Sequence, residues 1–567
     1  MDLKVVRVSV AGRHFRVEPV PEEFQSLGGR AFTSHWLFRF ADPEGDPLGK
    51  KNPLVIAPGL LAGTPASSVH RLSVGAKSPL TWGIKESNSG GNVALKFARL
   101  GIKAMVLEDL PADESFWALK LNKEGVFFDS AADLVGKGTA EAAEMLHSRY
   151  GKDVGLMVIG PAGERSLLTA AILNSDREGY PARLCGRGGM GAVLGSKGIK
   201  AVVIDDDGAG RVPFADEEGF KQAAREYTER LRTTPQTSEV YTKYGTAAMV
   251  DVTNALGGLP TRNFSLGSFE GAEKINGRAL YQTIVARGGD PSHACMPGCL
   301  IRSSNIYVDA KGKPIVRSLE YETLVMFGSN CGIDNLDELA EINRLCNDIG
   351  VDTIDLGGAV GIAMEADLLP YGDAEAVKKA LEEVRSGTLL GRILGQGGAL
   401  TGKVLGVRRI PAVKGQVMAA YEPRAIKGHG VTFATSTMGA DHTAGFTIRE
   451  GLDSHERKGQ VEASGRMQVN GMIYDSLGVC LFAHVAVKER HDILAAMVNG
   501  RWGVKWSAKD LREMAIRALC EEKEFNRRAG LGPATDRLPE IFSEEASPSS
   551  GTTFDFSPEE LDEIGYH

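Results

Sequence analysis

The chain changes texture at the acidic triplet Asp205-Asp206-Asp207. Upstream, short runs of β-branched and apolar residues recur between Gly- and Pro-bearing turns, as in Leu54-Val55-Ile56-Ala57, Lys103-Ala104-Met105-Val106-Leu107 and Ile199-Lys200-Ala201-Val202-Val203-Ile204. Runs of this length bounded by turn residues predict strands. The opening Met1 to Val8 alternates like another strand and does not read as a signal peptide. Downstream, helical patterns take over across 217–232, 336–347, 374–385 and 508–524. The expectation is an α+β fold with a β-rich N-terminal domain over 1–207, followed by two mainly α-helical domains over 208–410 and 411–567. The Ser-, Glu- and Pro-rich tail from Ser543 is expected to be extended. No tandem repeat of solenoid type is present.

At 567 residues the chain exceeds one ordinary core. Its net charge of −8 with no long basic run argues against nucleic acid or an anionic membrane as the main partner. No apolar run approaches the roughly 20 residues that span a bilayer, so the expected location is the cytoplasm. Seven cysteines, an odd number at low density, suit free thiols or metal ligands better than a disulfide framework.

Two distant stretches share a pattern. Asn347-Asp348-Ile349-Gly350-Val351-Asp352-Thr353 matches Asp475-Ser476-Leu477-Gly478-Val479-Cys480-Leu481 as a polar residue, two residues, Gly-Val, then Asp or Cys. Such loops can present equivalent donors and acceptors to two copies of one polar ligand, and the second ends on a thiol. Ser292-His293-Ala294-Cys295-Met296-Pro297-Gly298-Cys299 supplies two more thiols on a Pro-Gly turn. Together these point to a redox enzyme. Gly186, Gly188 and Gly191 satisfy G-x-G-x-x-G, but the preceding 174–185 reads as polar and turn-like, so the match is weak evidence for a dinucleotide site. Gly195-Ser196-Lys197 has the wrong order for a Walker loop. Cys185, Cys346 and Cys520 sit among apolar neighbours and read as structural.

From Gly28-Gly29-Arg30 to about Pro539 the chain resembles the tungsten-dependent aldehyde ferredoxin oxidoreductase family. The resemblance is carried by Lys77-Ser78-Pro79-Leu80-Thr81, Ser87-Asn88-Ser89-Gly90-Gly91, the run from Gly186 to Lys197, Glu320-Tyr321-Glu322-Thr323, Tyr421-Glu422-Pro423-Arg424 and the loop from Asp475 to Cys480. It implies tungsten, or molybdenum, held by the dithiolenes of two molybdopterins in the N-terminal domain. It also implies a nearby [4Fe-4S] cluster and oxidation of aldehydes to carboxylic acids, with electrons passing to ferredoxin or an iron–sulfur partner subunit. Relatives are often homodimers.

Carried onto this chain, the resemblance places Gly186, Gly188 and Gly191 close to pterin phosphate, with Arg71 and Arg183 pairing to it through guanidinium forks. It places a magnesium ion on Asn88 and a carbonyl near Leu184, hard oxygen ligands of the kind magnesium prefers. Asp352 and Asp475 accept from the pterin rings, and Asn347 stands where the family has Asp. Gly90, Val479 and Leu481 complete the implied cofactor-binding set. The cluster motif C-x2-C-x3-C is matched at Cys295 and Cys299 and completed by Cys480, with Ser292 at its first position. Three thiolates suit a [3Fe-4S] cluster, a [4Fe-4S] cluster with Ser292, His293 or water on the fourth iron, or no cluster at all.

Glu322 aligns with a family glutamate near tungsten and suits a base, and His442 suits the donor that polarises the carbonyl. Ala444 stands where relatives often carry a basic residue, which bears on the substrate pocket. Cys331 raises an alternative, because in the resembling tungsten subunit of class II benzoyl-coenzyme A reductase the metal takes a protein cysteine. Two further readings therefore stand beside aldehyde oxidation: a low-potential reductase subunit, and a non-catalytic family member that has lost its cluster.

Overall fold

The computed structural model describes residues 3–566. The N-terminal strands form two six-stranded sheets. The first contains β1 (Lys4–Ser9), β2 (His14–Pro19), β3 (Leu54–Pro58), β4 (Leu72–Lys77), β5 (Ile84–Ser89) and β6 (Ile102–Glu108), in the order β2-β1-β6-β3-β4-β5. The second contains β7 (Trp117–Asn122), β8 (Gly125–Ser130), β9 (Gly155–Val158), β10 (Ile172–Ser175), β11 (Pro181–Cys185) and β12 (Ile199–Ile204). Read from its β8 edge, its order is β8-β7-β12-β9-β10-β11. This is the first sheet over again.

Every pairing sense repeats as well: β1 and β6 are parallel, β7 and β12 are parallel, and all the other neighbours are antiparallel. The crossing helices match too. Among the principal helices, α1 (Gly29–Phe40) and α2 (Val93–Arg99) serve the first sheet as α3 (Thr139–Tyr150) and α4 (Met190–Ser196) serve the second. The N-terminal region is thus a structural duplication with no obvious counterpart in the residues.

The apolar runs are continuous because these strands are buried on both faces. In β3, Leu54 and Ile56 point into the core shared by the two sheets, while Val55 and Ala57 point to the opposite side, where Phe32 and Trp36 of α1 lie. Alternation along a strand puts consecutive residues in different cores, so both must be apolar.

The rest of the described chain is mostly helical, including α5 (Glu217–Thr233), α6 (Leu336–Ile349), α7 (Thr353–Glu365), α8 (Gln460–Leu477) and α9 (Ala508–Arg528). Helices α8 and α9 share a core with β3 and α1 through Val469, Ile473, Leu477, Leu519 and Phe525. The tail departs from its expected extended form. It carries short helices at Ile541–Glu544 and Pro558–Asp562, and Phe554, Leu561, Ile564 and Tyr566 are buried. These apolar residues are widely spaced among polar ones, so composition concealed them.

The two repeated loops are helix C-caps. Helix α6 ends at Gly350 (φ 79°), where Val351 N–H donates to the Cys346 carbonyl at 3.0 Å. Helix α8 ends at Gly478 (φ 76°), where Val479 N–H donates to the Tyr474 carbonyl at 2.9 Å. This left-handed glycine followed by an apolar residue is the Schellman arrangement. Each cap seats on one sheet. Ala171 N–H donates to the Gly350 carbonyl at 2.9 Å and Arg71 N–H to the Gly478 carbonyl at 3.1 Å.

The second seat is very close: a methyl on Gly59 would lie 2.1 Å from the Gly478 nitrogen. We expect Gly59→Ala to lower stability by about 1–3 kcal/mol through overpacking. Gly210→Ala, where an added methyl meets nothing within 4 Å, should leave stability unchanged. Thermal or denaturant midpoints of the two variants check this.

Candidate functional site

A cavity of about 330 Å³ lies where the two sheets' edge strands and the two loops converge. Strand β5 contributes Glu86, Asn88 and Ser89, and β11 contributes Ala182, Arg183 and Leu184. The strands' registers place Asn88 opposite Ser73 and Leu184 opposite Leu173, equivalent positions in the duplicated sheets. The sheets are tied together here by Asn174, whose amide donates to the Gly90 carbonyl at 2.7 Å, and by Asn92 N–H on the Ser175 carbonyl at 2.9 Å.

Of the sequence-predicted residues, Arg71, Asn88, Gly90, Arg183, Leu184, Gly186, Glu322, Asn347, Asp352, His442, Asp475 and Leu481 line this cavity, as do Cys295, Cys299 and Cys480. Gly188, Gly191, Val479 and Ser292 are not among its lining residues. A strand does precede the glycine run and a helix follows it, contrary to the turn-like reading of 174–185. The glycines nevertheless serve different ends. At Gly186 a methyl would find only ordinary contacts at 3.7 Å, so the backbone is open to a ligand. Gly188 packs against the Lys85 stem, and Gly191 fits against the Ala170–Ala171 backbone, where a methyl would lie 2.5 Å from a carbonyl oxygen.

The three thiols converge without a disulfide. The Cys299 sulfur accepts from Ser68 Oγ at 3.5 Å and from Arg302 N–H at 3.4 Å. The neighbouring Cys295 thiol and these donors hold the Cys299 pKa below the usual thiol range, while the same pairing and burial push Cys295 up. Cys480 N–H donates to the Ser68 carbonyl at 2.9 Å, which fixes the second loop to the thiol group. Ser292 is held elsewhere. Its N–H donates to Asp290 at 2.9 Å, and its carbonyl accepts from Arg302 Nε at 2.7 Å. His293 is likewise turned aside, its Nε2 lying 2.7 Å from Glu178 in a network that Arg317 joins.

Arg71 donates to the Asn88 side-chain oxygen, and Asn88 donates in turn to Glu86 at 3.0 Å. Arg183 Nη2 donates to Ser304 at 2.8 Å, leaving its buried Nε without a partner in the protein. Asp352 caps α7, accepting from Ile354 N–H and Asp355 N–H at 3.1 Å each, and also from Arg187 Nε at 3.4 Å. An ionised carboxylate has about four acceptor positions, so capping leaves capacity for a ligand. Burial pushes Asp475 well above the ordinary carboxylate range, with Glu86 adding like-charge repulsion and Arg30, 3.7 Å away, opposing it.

Glu322 Oε1 lies 3.1 Å from His442 Nε2, both half-buried on the cavity wall. Beside them, Asp441 forms a buried pair with Lys85. Burial works against the Asp441 charge, but Lys85 and Arg187 outweigh it and hold the carboxyl far below its usual range. Arg187 also donates to the Ala440 and Val417 carbonyls at 2.6 and 2.5 Å, tying the glycine run to the histidine loop. Lys85, Arg187, Glu86, Glu320 and Asp441 escaped the sequence reading as site residues. Charges on a strand or in a glycine run give no periodic signal, and only tertiary folding gathers them.

Cys331 lies away from this wall, fully buried, its thiol donating to the Met326 carbonyl at 3.3 Å. Burial raises its pKa, as befits a packed thiol. Cys185 and Cys346 are buried as expected, but Cys520 is exposed, on the outer face of α9.

Removing one partner of a buried ion pair strands the other, so Lys85→Met should destabilise by about 3–5 kcal/mol, and Lys85→Met with Asp441→Leu by clearly less. The Asp441 contribution is present above the ordinary carboxylate pKa and is lost as pH falls through its depressed folded value. Denaturant titrations of both variants against pH measure this.

The family model "Aldehyde ferredoxin oxidoreductase, N-terminal domain" matches residues 5–206, and "Aldehyde ferredoxin oxidoreductase, domains 2 & 3" matches 222–564. The tungsten-containing aldehyde ferredoxin oxidoreductase of Pyrococcus horikoshii is 34% identical over 576 residues, covering 96% of this chain and 92% of that protein. The Thermococcus kodakarensis protein of the same name is 33% identical with the same coverage. A Pyrococcus furiosus protein named "Aliphatic sulfonate oxidoreductase, WOR-like subunit" is 24% identical over 461 residues, covering 74% of this chain and 70% of that one. Among solved structures, the active-site complex of a benzoyl coenzyme A reductase with a dienoyl-CoA superposes with TM-score 0.82 over 99% of this chain and 92% of that one, at 18% identity. That likeness is one of fold.

Proposed function

Because the chain belongs to the aldehyde ferredoxin oxidoreductase family, we propose that it oxidises an aldehyde and water to a carboxylic acid at a tungsten bis-pterin centre. The oxidation releases two protons and two electrons, and an iron–sulfur cluster held by Cys295, Cys299 and Cys480 would supply the path by which the electrons reach a ferredoxin-type carrier. The observation that carries this reading is the convergence of three free thiols, two loop acceptors and a Glu–His pair on one cavity between the duplicated sheets. The residues present fit the cofactors. The open backbone at Gly186 and the orphaned Arg183 Nε suit phosphate, and Asn88 would hold magnesium with the Leu184 carbonyl once its side-chain oxygen is released from Arg71. Asp352, Asn347 and Asp475 suit the ring N–H groups of two pterins, and Cys295, Cys299 and Cys480 suit a cluster. When bound, the metal centre supplies the two-electron redox chemistry.

The chain's own part is proton handling and orientation. Glu322 takes the proton released as water adds to the substrate carbon, and its Oε1 lies 3.1 Å from His442 Nε2, which keeps the two side chains together on the cavity wall. His442 polarises the carbonyl oxygen as charge develops on it. The buried Lys85–Asp441 pair holds the backbone just before His442. The low-potential reductase reading is weakened by Cys331, which is packed against the Met326 carbonyl and does not line the cavity. The non-catalytic reading is weakened by the intact Glu322–His442 pair. Among the described residues no helix is long and apolar enough to cross a membrane, and we propose a cytoplasmic enzyme working as a homodimer.

Metal analysis and EPR of protein purified anaerobically after expression with tungstate test the centre. About four irons with a signal on reduction mean that a non-thiol ligand completes the cluster, whereas about three with a signal when oxidised mean three thiolates bind a [3Fe-4S] form. Protein devoid of iron and tungsten refutes the reading. Glu322→Gln should lower kcat for aldehydes by about 10²–10⁴ with metal content unchanged. Aryl thioesters should not be reduced in the same preparation, and turnover of them in place of aldehydes would favour the reductase alternative.

A further inference from the structure

The loop that carries two of the three thiols reaches the surface. Gly298 is exposed, and a methyl there would meet nothing within 4 Å. Leu300 is 39% exposed. Arg302, whose N–H donates to the Cys299 sulfur at 3.4 Å, is exposed as well. The short helix Tyr241–Tyr244 is tied to this loop by the Thr242 hydroxyl, which donates to the Ile301 carbonyl at 2.9 Å. Its next residue, Lys243, is exposed.

Three cations beside the loop and helix lack a carboxylate partner. The Arg302 side chain donates to the Ser292 carbonyl, and Lys243 Nζ has only the rings of Tyr244 and Tyr281, at 5.1 and 5.2 Å. Half-buried Arg449 has the Met249 sulfur and the face of Tyr241. The Tyr241 ring lies 4.8 Å from that of Phe482, two residues after Cys480. Among the described residues none of the three forms an ion pair. Two acids near the thiol loop are already engaged: Asp290 accepts from Ser292 N–H, and Glu178 pairs with Arg177, Arg317 and His293. Glu239, exposed and four residues before Lys243, pairs with neither Lys243 nor Arg302. In a chain of net charge −8, unpaired cations around a small apolar tip make a positive patch at the thiols.

We infer that this patch is the docking surface for a small acidic iron–sulfur carrier, whose carboxylates meet Lys243 and Arg302 while its cluster comes over Gly298 and Leu300. This rests on the electron path proposed above. The two electrons from each aldehyde reduce two oxidised clusters on the carrier, one electron to each. Rim charges of this kind govern the association rate and its salt dependence. Their screening over about 8 Å at physiological salt suits a carrier that leaves after each transfer.

The test uses anaerobically purified holoenzyme, an acidic bacterial ferredoxin with two [4Fe-4S] clusters, and benzyl viologen as a small acceptor that needs no docking. The variants are Lys243→Gln alone and together with Arg302→Gln, with iron counted in each. At low salt, kcat/KM for ferredoxin should fall about tenfold in the double variant. Binding of oxidised ferredoxin, followed by biolayer interferometry, should weaken in parallel, while viologen turnover by Lys243→Gln stays at the wild-type rate. Salt at about 0.5 M should erase the difference between variant and wild type.

Unchanged ferredoxin binding and kinetics in the double variant overturn the docking site and leave the oxidoreductase reading standing. Wild-type binding that ignores salt also overturns it, because the partner face would then be apolar. Wild-type protein that binds ferredoxin through these cations but turns over no aldehyde supports the surface and refutes the reaction. Should the double variant lose iron, Lys243→Glu carries the test: ferredoxin binding weaker than in Lys243→Gln is expected, and wild-type binding overturns the proposal.

Discussion

The site depends on two helix ends pressed backbone to backbone onto the two sheets. Gly478 sits on Gly59 so closely that a single methyl would strike the peptide nitrogen, and Gly350 sits on Gly160 in the same way, where a methyl on Gly160 would lie 2.2 Å from the Ile349 carbonyl oxygen. Both caps need the left-handed backbone at their own glycine and the missing side chain at its partner. This seating brings Asn347 and Asp352 of one loop and Asp475 and Cys480 of the other to a single cavity. The repeated Gly-Val pattern is thus first a docking device. Its polar flanks become ligand-facing because the dock aims them.

Much of this was legible in the chain. The change from strand to helix texture follows from burial on both faces of β3 and β12, which leaves uninterrupted apolar runs that no amphipathic helix shows. The four helices expected at 217–232, 336–347, 374–385 and 508–524 form within a few residues of those limits. The duplication of the sheets was not legible. Burial requires only apolar residues at alternating positions, so two copies keep their topology while sharing no visible motif. Asn88 and Leu184 show this: they hold equivalent registers, but one is polar and the other apolar.

The expected ligand set divides along a similar line. Residues whose role lies in backbone geometry, such as Gly188 and Gly191, match the sequence pattern of a phosphate loop while serving packing. The buried charges were the reverse case, chemically central and silent in sequence. Arg30 reaches Glu522 at 2.7 Å and Asp475 at 3.7 Å, while Arg187 reaches Asp355 at 3.2 Å and Asp352 at 3.4 Å. Each loop acid therefore faces a buried guanidinium across the fold. A buried charge costs several kcal/mol unless paired, so these guanidinium groups hold the loops in one register.

Ser292 shows how a local substitution is absorbed. Its backbone is tied to Asp290 and Arg302, and its neighbour His293 is drawn to Glu178, so the segment before Cys295 has its own polar support. The three remaining thiols keep their convergence because they hang from different supports: Cys295 lies against Gly90, Cys299 is bonded to Ser68 and Arg302, and Cys480 is fixed by the Ser68 carbonyl. None of these depends on a thiol at position 292. The scaffold that gathers the sulfurs is therefore separable from the ligand count, which is why a chain with this serine retains the rest of the site.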